Sequence, residues 1–228
     1  MNRRTAIVCL LALTVAGCDA APDTEQPAIQ PHNRKEILAI LFDTSGSFYS
    51  LMFGNDARAY RFCAASADRF FRDKLGDESS IVLAQLSAND RPLLWEGSPV
   101  ELRQKFPDPE AMRRFVQGLS DPNGSRLYGG LADTLGYIND LPGVSTGETR
   151  VCVLVVSDME DNAPTQEEDR KRLVESLRRF GKAKSCMGFY YVSPQELSRC
   201  RQIVQEAGTM AIVESGIVET PKLPTFDQ

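Results

Sequence analysis

The chain has 228 residues, 42% of them hydrophobic, which is enough for one domain with a complete core. It carries 31 acidic residues against 26 basic ones, for a net charge of −5 at pH 7. This acidic balance argues against a nucleic-acid partner and against electrostatic docking on anionic lipids. The sequence also contains no internal repeat or low-complexity tract.

The first 17 residues have the pattern of a secretory signal peptide. A basic start at Arg3 and Arg4 precedes a short apolar run over residues 6–13. That run is well short of the roughly 20 apolar residues that a membrane-spanning helix needs. We therefore expect residues 1–17 to be a signal and not a part of the fold.

The end of this signal, V-A-G-C at residues 15–18, resembles the lipobox of bacterial lipoproteins. The resemblance implies that Cys18 is lipidated and becomes the first residue of a protein anchored to the cell membrane. Asp19 resembles the signal that retains lipoproteins in the inner membrane of double-membrane bacteria, where the protein would face the periplasm; without such retention it would face the outside. The alternative is an ordinary signal peptide in which Cys18 is incidental.

Residues 18–34 are predicted to be the lipidated cysteine followed by a flexible tether, because 19–34 are polar and contain prolines. The only histidine of the chain, His32, lies in this segment. It is expected to be a solvated linker residue. A Ser-His-Asp hydrolase is therefore disfavoured, since the predicted domain contains no histidine.

Apolar strand patterns alternate with helical patterns through the rest of the chain. Strands are predicted at residues 36–42, 80–87, 91–95, 150–156, 186–192 and 209–213. Helices are predicted at residues 56–75, 109–119, 127–138, 166–180 and 195–207. This alternation predicts an α/β fold over residues 35–214, a doubly wound, mostly parallel sheet flanked by helices. Pro92 would place its strand at an edge of the sheet, and residues 215–228 are expected to be a loosely attached tail.

The loop after the first strand carries the main functional signal. The strand is apolar without alternation, as expected of a parallel strand covered on both faces, and Asp43, Ser45 and Ser47 follow it at two-residue spacing. Ligands of open α/β sheets bind just beyond the carboxyl ends of the strands. One carboxylate and two hydroxyls supply only hard oxygen ligands, which suit Mg²⁺, Mn²⁺ or Ca²⁺.

The pentapeptide D-T-S-G-S at residues 43–47 resembles the D-x-S-x-S motif of von Willebrand factor type A (VWA) domains, the metal-ion-dependent adhesion site. In that family a threonine before a helix and an aspartate after a buried strand complete the site. Ser125 stands at the threonine position, where its alternative role is to cap the helix that begins near Leu127, and Asp158 matches the aspartate. The resemblance implies that the metal ligands are Asp43, Ser45, Ser47, Ser125 and Asp158.

Two departures from the family pattern affect this site. Ser125 lacks the methyl group that stiffens a threonine rotamer, and Met159 replaces the glycine that usually follows the aspartate. Glu160 and Asp161 add negative charge nearby, where they would either modulate the ion or remain solvated. The sequence alone leaves open whether the site retains its metal.

The resemblance implies protein binding and no enzymatic activity. In the family the cation, which we expect to be Mg²⁺ here, keeps an open position for a carboxylate from a partner protein. One alternative is a VWA scaffold with a vestigial metal site, and another is a flavodoxin-like domain that binds a phosphate or flavin through residues 44–47. A haloacid-dehalogenase phosphatase is disfavoured because Ser45 stands where that family has its second aspartate. A P-loop nucleotide-binding domain is disfavoured because the sequence contains no P-loop motif.

Four cysteines lie in the predicted domain, and none of them has the spacing of a zinc site. Cys63 and Cys152 fall within apolar helix and strand patterns, so they are expected to be buried thiols. Cys186 and Cys200 flank a strand and a helix, and a disulfide between them is one interpretation for an exported protein.

Overall fold

The computed structural model describes residues 35–73, 78–87, 92–119, 126–183, 185–216 and 221–224. The predicted signal peptide at 1–17, the predicted tether with Cys18 and His32 at 18–34, and Ser125 lie outside these ranges. Within them, no helix has the length and apolar character needed to cross a bilayer.

Strands and helices alternate along most of the described chain. The strands are β1 (Lys35–Phe42), β2 (Ser80–Gln85), β3 (Leu93–Gly97), β4 (Thr149–Val156), β5 (Cys186–Val192) and β6 (Ile212–Ser215). The helices are α1 (Tyr49–Phe53), α2 (Arg58–Asp73), α3 (Pro99–Lys105), α4 (Pro109–Leu119), α5 (Leu127–Asp140), α6 (Gln166–Phe180) and α7 (Leu197–Ala207).

The six strands form one sheet in the order β3-β2-β1-β4-β5-β6. All neighbouring pairs are parallel except β2 and β3, which are antiparallel. The chain therefore winds outward from β1 in one direction through β2 and β3, and in the other through β4, β5 and β6. This order confirms the prediction of a doubly wound, mostly parallel sheet, with the predicted edge strand at β3.

Hydrophobic side chains cover both faces of the sheet, which explains why the central strands lack alternation. On one face, Leu38 and Ile40 of β1 lie in a cluster with residues of α2 and α4. On the other face, Ile37 and Leu41 of β1 lie in a cluster with residues of α5, α6 and α7. Full burial of each such side chain contributes about 1.5–3 kcal/mol to stability. Packing on both faces thus fixes β1 in the centre of the domain, and with it the position at which the chain leaves the strand.

The structure differs from the sequence prediction mainly in short elements. Helices α1 and α3 were not predicted, because five and seven residues are too few for a helical period to be read. Helix α3 nevertheless carries a local signal, since Ser98 and Glu101 form a capping box around Pro99. The last strand begins at Ile212 instead of residue 209. Helix α7 ends at Ala207, and its C-cap Gly208 has a left-handed φ of 65°.

Residues 221–224 of the predicted tail contact the last two strands of the domain. The Tyr190 hydroxyl donates a hydrogen bond to the Lys222 carbonyl (2.6 Å), and the Lys222 amide donates to the Glu214 carboxylate (3.1 Å). Strand β6 also continues to Ser215, one residue beyond the predicted domain boundary. This part of the tail is therefore held against β5 and β6.

The interpretation of Cys186 and Cys200 as a disulfide is also wrong. Cys186 belongs to the hydrophobic cluster on the α2 face of the sheet, whereas Cys200 belongs to the cluster on the α7 face. The four cysteines of the described domain are free, and all four are buried. The sheet itself separates the two sulfurs that the sequence suggested could pair.

Candidate functional site

The candidate site lies where the winding direction of the sheet reverses. Strand β1 has β2 on one side and β4 on the other, and the chain leaves it directly at Asp43. Backbone pairing continues past the strand ends, with the Asp43 amide donating to the Val156 carbonyl (2.9 Å) and the Leu86 amide donating to the Phe42 carbonyl (2.8 Å). This crevice at the carboxyl ends of the strands is the usual ligand position in doubly wound folds.

The Asp43 carboxylate is fully buried at the centre of this crevice. It accepts hydrogen bonds from the Ser45 amide (2.8 Å) and from the Ser157 hydroxyl (2.7 Å). Burial raises the pKa of Asp43 to about 6, although the hydrogen bonds from Ser45 and Ser157 lower it, and the negative charge of Asp158 raises it further. Asp43 and Asp158, contributed by two adjacent strands, are therefore close enough to interact electrostatically.

Ser157 is a site residue that the sequence analysis did not assign. Its hydroxyl donates to Asp43 and accepts a hydrogen bond from the Met159 amide (2.8 Å), so it joins the end of β4 to the loop after β1. A hydroxyl directly before Asp158 was visible in the sequence. Its direction toward Asp43 depends on the pairing of β1 with β4, which the local sequence does not specify.

The Asp158 loop accommodates the replacement of glycine by methionine. Met159 has a φ of 62°, in the left-handed region that glycine adopts easily and that costs other residues roughly 1–2 kcal/mol. Its side chain is buried in the core cluster on the α5 face. The Asp158 carboxylate, which is 8% exposed, accepts a hydrogen bond from the Glu160 amide (3.0 Å). The loop therefore keeps a glycine-like backbone despite the substitution.

The three hydroxyls in the loop after β1 differ in their environment. Ser45 lies beside Asp43 and is buried, whereas Ser47 is exposed. The hydroxyls of Thr44 and Ser87 are hydrogen-bonded to each other at 2.7 Å, and both side chains are buried. Thr44 thus connects the loop to the end of β2, which leaves Ser45 and Ser47 as the hydroxyls of this loop that could contact a cation.

Asp161 has a structural role that the sequence analysis did not identify. Its carboxylate accepts hydrogen bonds from the Tyr128 amide (2.6 Å) and the Ala163 amide (2.8 Å), and also interacts with the Leu127 amide. Asp161 therefore caps helix α5 at its first turn. Of the two interpretations of the acidic pair after Asp158, solvation applies to the exposed Glu160 but not to the buried Asp161.

The residue that follows Ser125 is clamped to helix α6. The Arg126 guanidinium donates two hydrogen bonds to the Asp169 carboxylate (2.8 and 2.7 Å), which also accepts from the Thr165 hydroxyl (2.7 Å). Arg126 first, and Thr165 after it, hold the pKa of the buried Asp169 at about 2. This clamp anchors the start of helix α5, the element that the predicted Ser125 ligand precedes.

The donor set in the crevice consists of hard oxygens. Asp43, Ser45 and Asp158 are each buried, and Ser47 is exposed in the loop that contains Asp43 and Ser45. Among the described residues, no group of three or more histidine, cysteine, aspartate and glutamate side chains is arranged to hold a metal. A cation here would therefore depend on two carboxylates supplemented by hydroxyls and water, as hard divalent ions accept.

No protein-family model and no curated protein sequence matches this chain. Among solved structures, it is similar to the crystal structure of the SpRpn10 VWA domain, with a TM-score of 0.53 and 14% identity over 83% of this chain and 91% of that one. It also aligns with proximal thread matrix protein 1 from the mussel byssus, with a TM-score of 0.45 and 16% identity over 80% of this chain and 44% of that one. The first similarity, together with the sheet order, shows that the described domain has the VWA fold.

Proposed function

We propose that this chain is a protein-binding VWA domain whose recognition site is a divalent cation held in the Asp43 crevice. The observation that carries the proposal is the burial of Asp43 near Asp158, where the winding direction of the sheet reverses. The adjacent Ser45 donates its backbone amide to Asp43. The negative charge of Asp158 contributes to the raised pKa of Asp43, and two neighbouring carboxylates favour a positive ion between or beside them. The proposal includes no catalytic step.

The residues present fit Mg²⁺ better than a soft metal, with Mn²⁺ and Ca²⁺ as the related alternatives. Asp43, Ser45, Ser47 and Asp158 would hold the ion, and Ser125 would complete the set. Mg²⁺ keeps several waters when few protein ligands surround it, so a position remains for an outside group. When bound, the cation would supply positive charge that attracts a carboxylate of a partner protein.

Metal-dependent stabilisation tests this proposal directly. Thermal melting of the purified full-length chain in EDTA, Mg²⁺, Mn²⁺ and Ca²⁺ should show a higher melting temperature with at least one ion. A ligand at 100 times its Kd adds about 2.7 kcal/mol to the stability of the native state. The Asp43→Ala variant should lose this shift, because the central ligand is gone.

A matched control is Asp140→Ala, which removes an exposed carboxylate at the far end of helix α5. This variant should keep the full metal-dependent shift. Equal shifts in Asp43→Ala and the wild type, or no shift with any ion in the wild type, would contradict a metal site at Asp43. Calorimetric titration of Mg²⁺ into the same proteins would give the affinity independently of unfolding.

A VWA scaffold without metal is the second candidate, and one observation favours it. The Asp43 carboxylate already accepts hydrogen bonds from Ser45 and Ser157, so the folded site is satisfied to a large extent by protein groups. In that case partner binding would survive Asp43→Ala. The phosphate-binding alternative has less support, because the Thr44 hydroxyl that it requires is bound to Ser87 in the interior.

We also propose that Cys18 is lipidated and anchors the domain to a membrane, in accordance with the lipobox-like residues 15–18. The Cys18→Ala variant should move to the soluble fraction when cells are lysed and membranes are sedimented. Cys9→Ala, which replaces a cysteine within the predicted signal, is the control and should remain with the membranes. A Cys18→Ala protein that still sediments with membranes would contradict the lipid anchor.

A further inference from the structure

Two buried cysteines face each other across neighbouring strands. Cys152 of β4 and Cys186 of β5 are direct partners in the parallel register of these strands. Both side chains belong to the hydrophobic cluster on the α2 face, where Cys186 is close enough to raise the pKa of the Cys152 thiol. The other two cysteines of the described domain, Cys63 and Cys200, lie on helices α2 and α7.

The backbone spacing permits a bond between the two sulfurs. Neighbouring strands lie about 4.8 Å apart, and the Cα atoms of disulfide-bonded cysteines are usually about 4.4–6.8 Å apart. A disulfide also requires the Cβ atoms to approach to about 3.8 Å, which is closer than the strand spacing. A bond at this position would therefore be strained, and strained disulfides are the ones that are easily reduced.

One of the two cysteines is adjacent to a cavity. Cys186 is among the residues that line a surface cavity of about 540 Å³ at the beginning of β5 and β6, which Pro224 also lines. Cys152 lies beside Cys186, and its sulfur donates to the Pro224 carbonyl of the C-terminal segment (4.0 Å). Because Cys186 lines this cavity and Cys152 is not among its lining residues, a small reagent that enters it would meet Cys186 before Cys152.

We propose that Cys152 and Cys186 form a reversible dithiol–disulfide pair that exchanges with small disulfides such as glutathione disulfide, with Cys186 as the entry sulfur. This site is separate from the Asp43 crevice and does not depend on the metal. The pair lies toward the beginning of β4 and β5, whereas Asp43 and Asp158 follow the ends of β1 and β4.

The exchange takes place in two balanced steps. The Cys186 thiolate attacks one sulfur of the small disulfide, which forms a mixed disulfide and releases the first small thiolate. The Cys152 thiolate then attacks the Cys186 sulfur, which forms the protein disulfide and releases the second small thiolate. The two protons of the cysteine thiols end on the two released small thiols, so two protein thiols are oxidised and one small disulfide is reduced.

The surroundings of Cys152 agree with this order. Interaction with the neighbouring Cys186 thiol and, after it, burial raise the pKa of the Cys152 thiol well above its ordinary value. Cys152 is therefore a poor first nucleophile at neutral pH. A soft-metal site is a weaker interpretation, since the described residues provide no third histidine, cysteine, aspartate or glutamate to complete one here.

Peptide mapping of the full-length protein tests the proposal. The reduced chain is incubated with glutathione disulfide and glutathione at several ratios, and the reaction is quenched with acid. Free thiols are then alkylated under denaturing conditions. Mass spectrometry measures the fraction of each cysteine that is alkylated, cross-linked or joined to glutathione. We expect a cross-link between Cys152 and Cys186 that increases with the proportion of glutathione disulfide and is lost on return to excess glutathione. Cys63 and Cys200, buried singly, should remain alkylated throughout and serve as internal controls.

Single variants distinguish the entry sulfur from its partner. In Cys152→Ala the reaction should stop at a glutathione adduct on Cys186, whereas in Cys186→Ala Cys152 should remain unmodified. Free Cys152 and Cys186 in the wild type after prolonged oxidation would overturn the proposal, as would a persistent adduct without the cross-link. The wild-type mapping decides the question even if one of the variants fails to fold.

Discussion

In metal-free buffer, the free energy of unfolding should fall by about 3 kcal/mol because of Asp43 as the pH rises from about 4 to about 7. Burial raises the pKa of this carboxyl from 3.8 to about 6, so the folded protein retains a proton that the unfolded chain releases earlier. The stability from this group is complete below the unfolded pKa and is lost as the pH rises through the folded pKa. Urea unfolding in EDTA across this pH range measures the effect.

The Asp43→Asn variant isolates this contribution, because asparagine has nearly the same shape and does not titrate. Other groups, including Asp161, whose pKa is raised by burial, change both proteins alike and cancel in the difference. If the metal proposal is correct, Mg²⁺ should flatten the pH dependence of the wild type and leave that of Asp43→Asn unchanged. If stability changed with pH in the same way for the two proteins in EDTA, burial would not raise the pKa of Asp43, which would contradict this prediction.

The sequence contained enough information to predict the centre of the fold. Strands β1 and β4 are apolar over their whole length, which identifies them as central parallel strands. The carboxyl ends of neighbouring parallel strands meet at one edge of the sheet, so Asp43 and Asp158 were expected to lie close together. Their electrostatic interaction in the structure agrees with that expectation.

The remaining details depend on contacts between distant segments. The cap from Asp161 to Tyr128 and the clamp from Arg126 to Asp169 join parts of the chain that are 33 and 43 residues apart. Composition and periodicity describe each segment by itself, and they do not specify which polar side chain will meet which backbone amide. The role of Asp161 therefore became visible only once helix α5 was placed beside the end of β4.

Strand register explains why the sequence did not predict that Cys152 and Cys186 lie opposite each other. The apolar patterns of β4 and β5 predict two buried parallel strands, but any shift by two residues would bury the same faces. Only the observed register brings Cys152 opposite Cys186. The sequence also did not show that Cys200 lies on the other side of the sheet from Cys186, because this depends on the path of the chain from β5 into α7.

Replacement of Gly130 by alanine should destabilise the domain by about 3 kcal/mol, since an added methyl group would overlap a fixed backbone atom. A Cβ atom at Gly130 in helix α5 would lie 2.0 Å from the carbonyl oxygen of Leu86, at the end of β2. Leu86 is itself held by its amide hydrogen bond to Phe42, so the helix would have to move. Chemical denaturation of the Gly130→Ala protein in EDTA measures the loss without a contribution from metal.

Gly136→Ala is the matched control, because Gly136 lies in the same helix and a Cβ atom there would have nothing within 4 Å. Alanine has the higher helix propensity, so this variant should gain about 0.5–1 kcal/mol in stability. The opposite signs separate close packing at Gly130 from the general effect of glycine in a helix. If both variants were stabilised by similar amounts, helix α5 would have to lie farther from β2, and the close approach of Gly130 to Leu86 would not exist.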